Sequence, residues 1–341
     1  MNTNTIAAQP VERDLESVRA LINTSRKLNM ENLAPPKPAY KVVNILELAN
    51  HRFMPREQIL SPWCLTQSLN MIYAWRGVGK THVALGIAFA IATGGTFLCW
   101  KAAARRKVLY LDGEMPGASL QNRLTALIAA SDDDFDPDYF RILTPDLQEG
   151  VMPDICTLEG QFAVDEMLGD AEVIIVDNLS SLARSGGNEN AAESVEMTSG
   201  WALRMRQQKR TVIFVHHSGK GGEQRGTSKR EDILDVVISL KRPPDYQPSE
   251  GAKFEVHFQK GRDLQGEDAE PFEATLDTNP DGRQSWIISK LEDSTFDRVV
   301  KLANEGLSQA EIATELNVNK SNVSRHVKRA RSDGLIKGDT K

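Results

Sequence analysis

The stretch Ala74-Trp75-Arg76-Gly77-Val78-Gly79-Lys80-Thr81 sets two glycines, a lysine and a threonine between two apolar segments. Residues 69–73 before it read as a short buried strand, and residues 81–93 after it as an apolar helix. A strand, a tight glycine turn and a helix N-terminus aim successive backbone N–H groups at one point, where the helix dipole also favours an anion. Lys80 would reach the β- and γ-phosphates of a nucleotide, and the Thr81 hydroxyl would hold Mg²⁺. Arg76, Gly77, Val78, Gly79 and His82 complete the expected cradle. The first glycine of the usual G-x-x-x-x-G-K-[ST] spacing is Ala74 here, still small enough for the turn. The spacing implies a site for a nucleoside triphosphate, with ATP and Mg²⁺ as the expected ligands.

Two acids stand where such chemistry needs them. The apolar run 108–111 ends in Asp112-Gly113-Glu114-Met115-Pro116, so Glu114 falls just past a strand's C-terminal end. In a parallel sheet that is the edge carrying the phosphate loop, and a carboxylate there can polarise a water for attack on the γ-phosphate. Residues 172–176 form a second run of β-formers, delivering Asp177 at its tip as the expected member of a metal shell. A third, 211–215, ends in His216-His217. A strand-tip histidine is commonly structural; its place in this set makes His217 a candidate for hydrogen bonding to the γ-phosphate.

Taken in order, the loop ending in GKT, LDGEMP, IIVDN, FVHHSGKG and Phe258-Gln259-Lys260-Gly261-Arg262 resemble the RecA-type ATPases across roughly residues 60–290. Within them the set is similar to the hexameric plasmid replication helicases of the RepA type (AAA_25) and to the DnaB-type replicative helicases. The resemblance implies that Glu114 is the catalytic base and His217 the γ-phosphate sensor. It also implies that Lys260 and Arg262 reach into a neighbouring subunit's ATP site, where a cation stabilises charge on the transferring phosphoryl group. Rings of this type line a central channel with loops that follow the Asp177 and His217 strands. Lys220, Arg225, Lys229 and Arg230 in the second loop would then track a single-stranded DNA backbone. Neither loop contains an aromatic residue, so base stacking is not expected there.

The elements that must position these residues alternate in the α/β manner. Strands are predicted at 69–73, 107–111, 140–143, 172–176 and 211–215, and helices at 81–93, 117–130, 159–168 and 190–208. Apolar stretches at 235–240, 253–259, 272–276 and 284–289, separated by short turns, predict an antiparallel extension of the sheet. Upstream, Val11, Leu15, Val18 and Ile22 recur at helical spacing before a proline-rich linker at 34–38, and a short helix is expected near 45–49.

The end of the chain reads as a separate unit. Ser308 caps a helix with Glu311 three residues on. Residues 316–321 make the turn, and a second helix over 322–332 presents Ser321, Asn322, Ser324 and Arg325 near its start and Lys328, Arg329 and Arg331 beyond. With residues 296–305 as a supporting helix, this is a helix-turn-helix, suited to duplex DNA or to docking a protein. The chain's net charge is −6, yet residues 294–341 carry +3, so a nucleic-acid contact would be local.

The expected class is therefore α/β, with a RecA-like phosphate-loop core, a mostly parallel sheet, an antiparallel extension and a small all-α domain. The expected division is 1–40, 41–292 and 293–341. Cys64, Cys99 and Cys156 are far apart and unpaired in sequence, which predicts buried thiols in a reducing cytosol. No signal peptide or membrane span is read. The functional expectation is a ring-forming, homo-oligomeric DNA translocase or helicase, with a non-helicase DNA-binding ATPase or a transcriptional regulator as alternatives.

Overall fold

The computed structural model describes residues 40–132, 135–184, 192–218, 229–244 and 246–336, the side chains of Ala192, Lys229 and Arg230 excepted. The expected helix around Val11 to Ile22, most of the loop after the Asp177 strand, and Lys220 and Arg225 lie outside those residues. The backbone divides into two units, Met1–Pro55 and Arg56–Lys341. In the first, helix α1 (Ile45–Ala49) falls where it was expected. Asn44 caps it, accepting from the N–H groups of Leu46 and Glu47, while Glu47 reaches back to the Asn44 N–H at 3.0 Å.

The second unit opens with β1 (Gln58–Ser61), β2 (Cys64–Leu65) and β3 (Leu69–Ala74), then α2 (Lys80–Thr93), β4 (Thr96–Phe97), β5 (Trp100–Ala102) and β6 (Val108–Asp112). It continues through α3 (Gly117–Ala130), β7 (Phe140–Leu143), α4 (Leu158–Leu168), β8 (Val173–Asp177), α5 (Leu179–Leu182), α6 (Ala192–Gln207), β9 (Thr211–His217) and α7 (Lys229–Asp232). Last come β10 (Val236–Lys241), β11 (Lys253–Gly261), β12 (Phe272–Thr278), β13 (Gln284–Lys290), α8 (Leu291–Asn304), α9 (Gln309–Glu315) and α10 (Lys320–Ser332).

Among the described residues the main sheet runs β13-β12-β11-β10-β3-β9-β8-β6-β7. From β10 to β7 every pairing is parallel, and from β10 to β13 every pairing is antiparallel. This corrects one expectation: residues 236–241 belong to the parallel core beside the phosphate-loop strand, and the antiparallel extension begins only at β11. No apolar helical period before β10 announced the crossover, because α7 is a single polar turn, Lys-Arg-Glu-Asp.

The parallel strands are buried on both faces, as their continuous apolar runs require. Ile72, Val108, Tyr110, Ile175 and Ile213 face one core with α2, while Leu69, Met71, Leu109, Ile174 and Phe214 face another with α6. Helix α2 is apolar nearly all round because it is covered on both sides. Its outer cover is a small four-stranded antiparallel sheet, β2-β1-β5-β4, which the sequence reading missed. Strands of two to four residues carry too little alternation to announce themselves. The cover fits closely: a Cβ on Gly86 would meet the Phe97 ring at 2.0 Å. Trp100 packs edge-on against Trp63 and Phe272, with centroids 5.4 and 5.8 Å away. Cys64 and Cys156 are buried, but Cys99 is exposed at the turn of the β4–β5 hairpin, against the expectation for that thiol.

Helices α8, α9 and α10 share a third core around Val299, Ile312, Val323 and Val327. The Ser308–Glu311 capping box is present in both directions. Helix α8 starts on the residue after β13 ends. Its buried Arg298 forms ion pairs with Glu273 of β12 and, at 3.6 Å, with Glu255 of β11. Breaking such a pair leaves an uncompensated buried charge, so it fixes where the helix sits on the sheet.

Candidate active site

Strands β3, β6, β8 and β9 release the chain at one edge of the sheet, and the candidate residues gather there. Gly77 and Gly79 take φ of +77° and +120°, conformations that a side chain would strain, so the turn from β3 into α2 needs glycine at both positions. The Lys80 amine turns inward and donates to the carbonyls of Ala74 and Trp75 at 3.1 and 3.2 Å. Burial lowers its pKa to about 8, against the opposing pull of Asp177 and Glu114.

Asp177 is buried at the tip of β8 and accepts a 2.6 Å hydrogen bond from the Tyr110 hydroxyl. Burial lifts its pKa to about 6; hydrogen bonds from Tyr110 and Thr81 oppose the shift, and Asp112 and Glu114 add to it. Burial likewise lifts the Tyr110 hydroxyl well above its ordinary value, so that it stays a donor. Asp112 is a bracket for the turn carrying Glu114. It accepts from the Met115 N–H at 3.1 Å and from the Thr144 hydroxyl at 2.8 Å, while the Gly113 N–H donates to the Asp177 carbonyl at 2.8 Å. Glu114 itself is exposed, and its Oε1 lies 3.8 Å from Nε2 of His217.

Arg76 to His82, Glu114, Asp177, Asn178 and His217 thus line one open pocket of about 680 Å³. Asn178 was not selected from the sequence, nor were three further residues that complete the pocket: Arg123 of α3, and Gly251 and Ala252 before β11. Arg123 is one of many surface-type arginines, and only the packing of α3 aims it inward. Tyr110 left a weak clue, since a tyrosine inside a buried strand needs a partner for its hydroxyl. Burial lowers the pKa of His82 to about 4, helped by Arg123, so its imidazole is neutral at pH 7.

The residues present fit a metal-bound triphosphate. The pocket pairs a buried cation with a buried carboxylate beside a hydroxyl, and burial disfavours the charged form of both ionisable groups. A triphosphate would compensate the first and a hard cation the second. Among the described residues no group of three or more His, Cys, Asp or Glu side chains is arranged to hold a metal ion by itself. A Mg²⁺ site can use one or two protein oxygens and the ligand's own phosphates.

Lys260 and Arg262 do not join this pocket within the chain. They sit at the opposite sheet edge, where β11 pairs with the start of β10. There Lys260 donates to the Glu231 carbonyl, and Arg262 donates to the Asp232 carbonyl at 3.2 Å and lies 3.6 Å from Asp235. Lys229 and Arg230 fall in α7, but their side chains lie outside the described residues, as do Lys220 and Arg225. Arg184 is anchored, its N–H bonded to Asp154 at 3.1 Å and its guanidinium to the Met152 carbonyl.

On α10, Ser321, Asn322, Ser324, Arg325, Lys328 and Arg329 share the exposed face, and Val323, His326, Val327 and Ala330 the buried one. Arg325 lies 3.2 Å from Glu292, and the Arg329 guanidinium stacks 4.2 Å from the Phe296 ring centroid. No described helix is long and apolar enough to cross a membrane.

A phosphate-loop strand inside a mostly parallel sheet, with acids at the tips of neighbouring strands, defines a RecA-like ATPase core. Residues 35–223 match the AAA domain family AAA_25, which spans over half of the chain, and the chain belongs to that family. Residues 302–337 match the winged helix-turn-helix DNA-binding family, although the described residues there form helices without a strand. The chain therefore joins an ATPase domain to a helix-turn-helix that matches a DNA-binding family. No curated protein matches it. Among solved structures it is similar to a KaiC-like protein from the archaeon Pyrococcus horikoshii OT3, at 14% identity and a TM-score of 0.49, covering 69% of this chain and 99% of that one.

Proposed function

We propose that this chain is an ATP-driven DNA translocase or helicase that works as a homo-oligomeric ring, in the replication of a plasmid or another mobile element. The observation that carries the reading is the split site. Lys80, Thr81, Glu114, Asp177 and His217 line one pocket, while Lys260 and Arg262, to which the resemblance assigns a part in the same chemistry, lie across the sheet. In a ring, Lys260 and Arg262 of one copy would meet the pocket of the next.

In this reading Lys80 and the amides of residues 76–81 bind the β- and γ-phosphates, and Glu114 takes a proton from the attacking water. His217, 3.8 Å from Glu114, reports the loss of the γ-phosphate to the loop that follows β9. Mg²⁺ would be held by Thr81 and Asp177 and would neutralise charge on the phosphate oxygens. The loops after β8 and β9 would track single-stranded DNA, and the exposed face of α10 would meet duplex. Domain limits of 1–40, 41–292 and 293–341 and a cytoplasmic location belong to the same proposal.

A second reading is a non-helicase ATPase that assembles on DNA in a nucleotide-dependent way. Arg298 supports it, because this buried clamp holds α8 to the sheet directly, where a flexible tether would leave the two independent. The test is ATP hydrolysis with and without single-stranded oligonucleotide, beside strand displacement on a forked duplex. Stimulated hydrolysis with displacement carries the first reading. Hydrolysis that Lys80→Ala abolishes, with no displacement by the unmodified chain, carries the second.

A further inference from the structure

We propose that Arg242 is a positioning residue for the phosphate loop, acting through the carbonyl of Gly77. Strands β3 and β10 are parallel neighbours, so the chain leaves both at the same sheet edge, and the residue after β10 arrives beside the glycine turn. Arg242 Nη2 donates to the Gly77 carbonyl at 2.9 Å. The approach is close: a Cβ on Gly77 would lie 3.3 Å from the same nitrogen.

The guanidinium is itself held. It stacks over Tyr246 at 4.3 Å from the ring centroid, and the Tyr246 hydroxyl donates to the Gly251 carbonyl at 2.9 Å. Gly251 and Ala252 form a wall of the nucleotide pocket, whereas Arg242 does not line it. The intervening turn is braced by the Gln247 N–H on Glu250 at 2.7 Å and by Lys253 on Glu250 at 2.7 Å. Arg242, Tyr246 and Gly251 thus tie the loop that would bind phosphates to the wall facing it. All three lie beyond the residues matched to the AAA domain family.

The inference rests on the nucleotide reading of the pocket. Backbone amides bind phosphate best when already arrayed, since no ordering entropy is then lost on binding. A clamp present before and during the reaction favours ground state and transition state alike. Its loss therefore raises KM and leaves kcat nearly unchanged.

The experiment compares the unmodified chain with Arg242→Ala, Arg242→Lys and Lys80→Ala. It measures steady-state hydrolysis, ATP binding by titration, and competition by inorganic tripolyphosphate. Arg242→Ala should raise KM and the ATP dissociation constant roughly tenfold, the scale of one charge-assisted hydrogen bond, with kcat within about twofold. Arg242→Lys should recover part of that, keeping a donor while losing the stack. Tripolyphosphate binding should weaken in parallel, because the clamp acts on the phosphate cradle. Unchanged affinity in Arg242→Ala overturns the inference. So does a fall in kcat at constant KM, the mark of a smaller folded fraction, or an ATP effect that tripolyphosphate does not share. If Lys80→Ala binds ATP like the unmodified chain, the nucleotide reading itself is wrong, which is a different failure.

Discussion

Removing one oxygen atom, in Tyr110→Phe, should move the acid limb of ATP hydrolysis upward by more than a pH unit. The Tyr110 hydroxyl donates a 2.6 Å hydrogen bond to a carboxylate that burial has already pushed up to about 6. A hydrogen bond to a charged group contributes about 1.5–3 kcal/mol. Its loss therefore raises the Asp177 pKa by roughly one to two units, at about 1.4 kcal/mol each. At pH 7 the ionised fraction of Asp177 would fall from about nine-tenths to between about a half and a tenth. If the ionised form is needed for the metal-bound nucleotide, kcat/KM at pH 7 falls about two- to tenfold relative to the unmodified chain, and that ratio returns to one by about pH 9. Stability depends on pH in the opposite sense to activity. Asp177 binds more protons folded than unfolded between 3.8 and about 6, so its contribution is present at low pH and is lost as pH rises through that window. Tyr110→Phe widens the window upward, so the variant should lose melting temperature at pH 8 and much less at pH 5. The assay is a pH series of kcat/KM with matched melting curves. A loss equal at every pH, or an unmoved acid limb, would refute the reasoning.

Glu114→Gln should keep ATP binding within about twofold while hydrolysis falls at least about a hundredfold, the usual scale of general-base loss; nucleotide titration beside a phosphate-release assay separates the two. Lys80 is charged only below about 8, where burial has brought its pKa. ATP affinity of the unmodified chain should therefore decline as pH rises through 8, which calorimetric titration between pH 7 and 9.5 would reveal. Mixing Arg262→Ala with Glu114→Gln protein should restore part of the lost turnover if the arginine serves a neighbouring pocket, and a null result at every ratio removes that role. Arg298→Met should destabilise the fold by up to about 3–5 kcal/mol, because it removes the buried guanidinium and, among the described residues, leaves Glu255 only His257 at 3.0 Å and Glu273 only Lys253 at 4.0 Å. A thermal melt reads this, and replacing Arg298, Glu255 and Glu273 together with apolar residues should recover much of the loss.

Much of the site was legible in the residues themselves, because backbone chemistry forces local patterns. Glycines at positive φ, a lysine at a helix N-terminus and acids at the tips of apolar runs leave spaced signatures that need no partner to be read. The helix over 117–130 and the Ser308 capping box were legible for the same reason, since their hydrogen bonds join residues three or four apart. The small sheet over α2 was not, because its strands of two to four residues gain stability only from a partner distant in sequence. The direction of β10 was hidden too: an apolar run has the same composition whether its neighbour runs with it or against it.

Sequence alone thus determined that a phosphate cradle, two strand-tip acids and a capped helical tail exist, for their physics is short-ranged. Tertiary structure decided which of them share a pocket. It set Glu114 beside His217, turned Arg123 inward, put Tyr110 under Asp177, and placed Lys260 and Arg262 at the far edge of the sheet. Those outcomes depend on strand order and packing, where contacts are made between residues separated by scores of positions, and no local pattern encodes them.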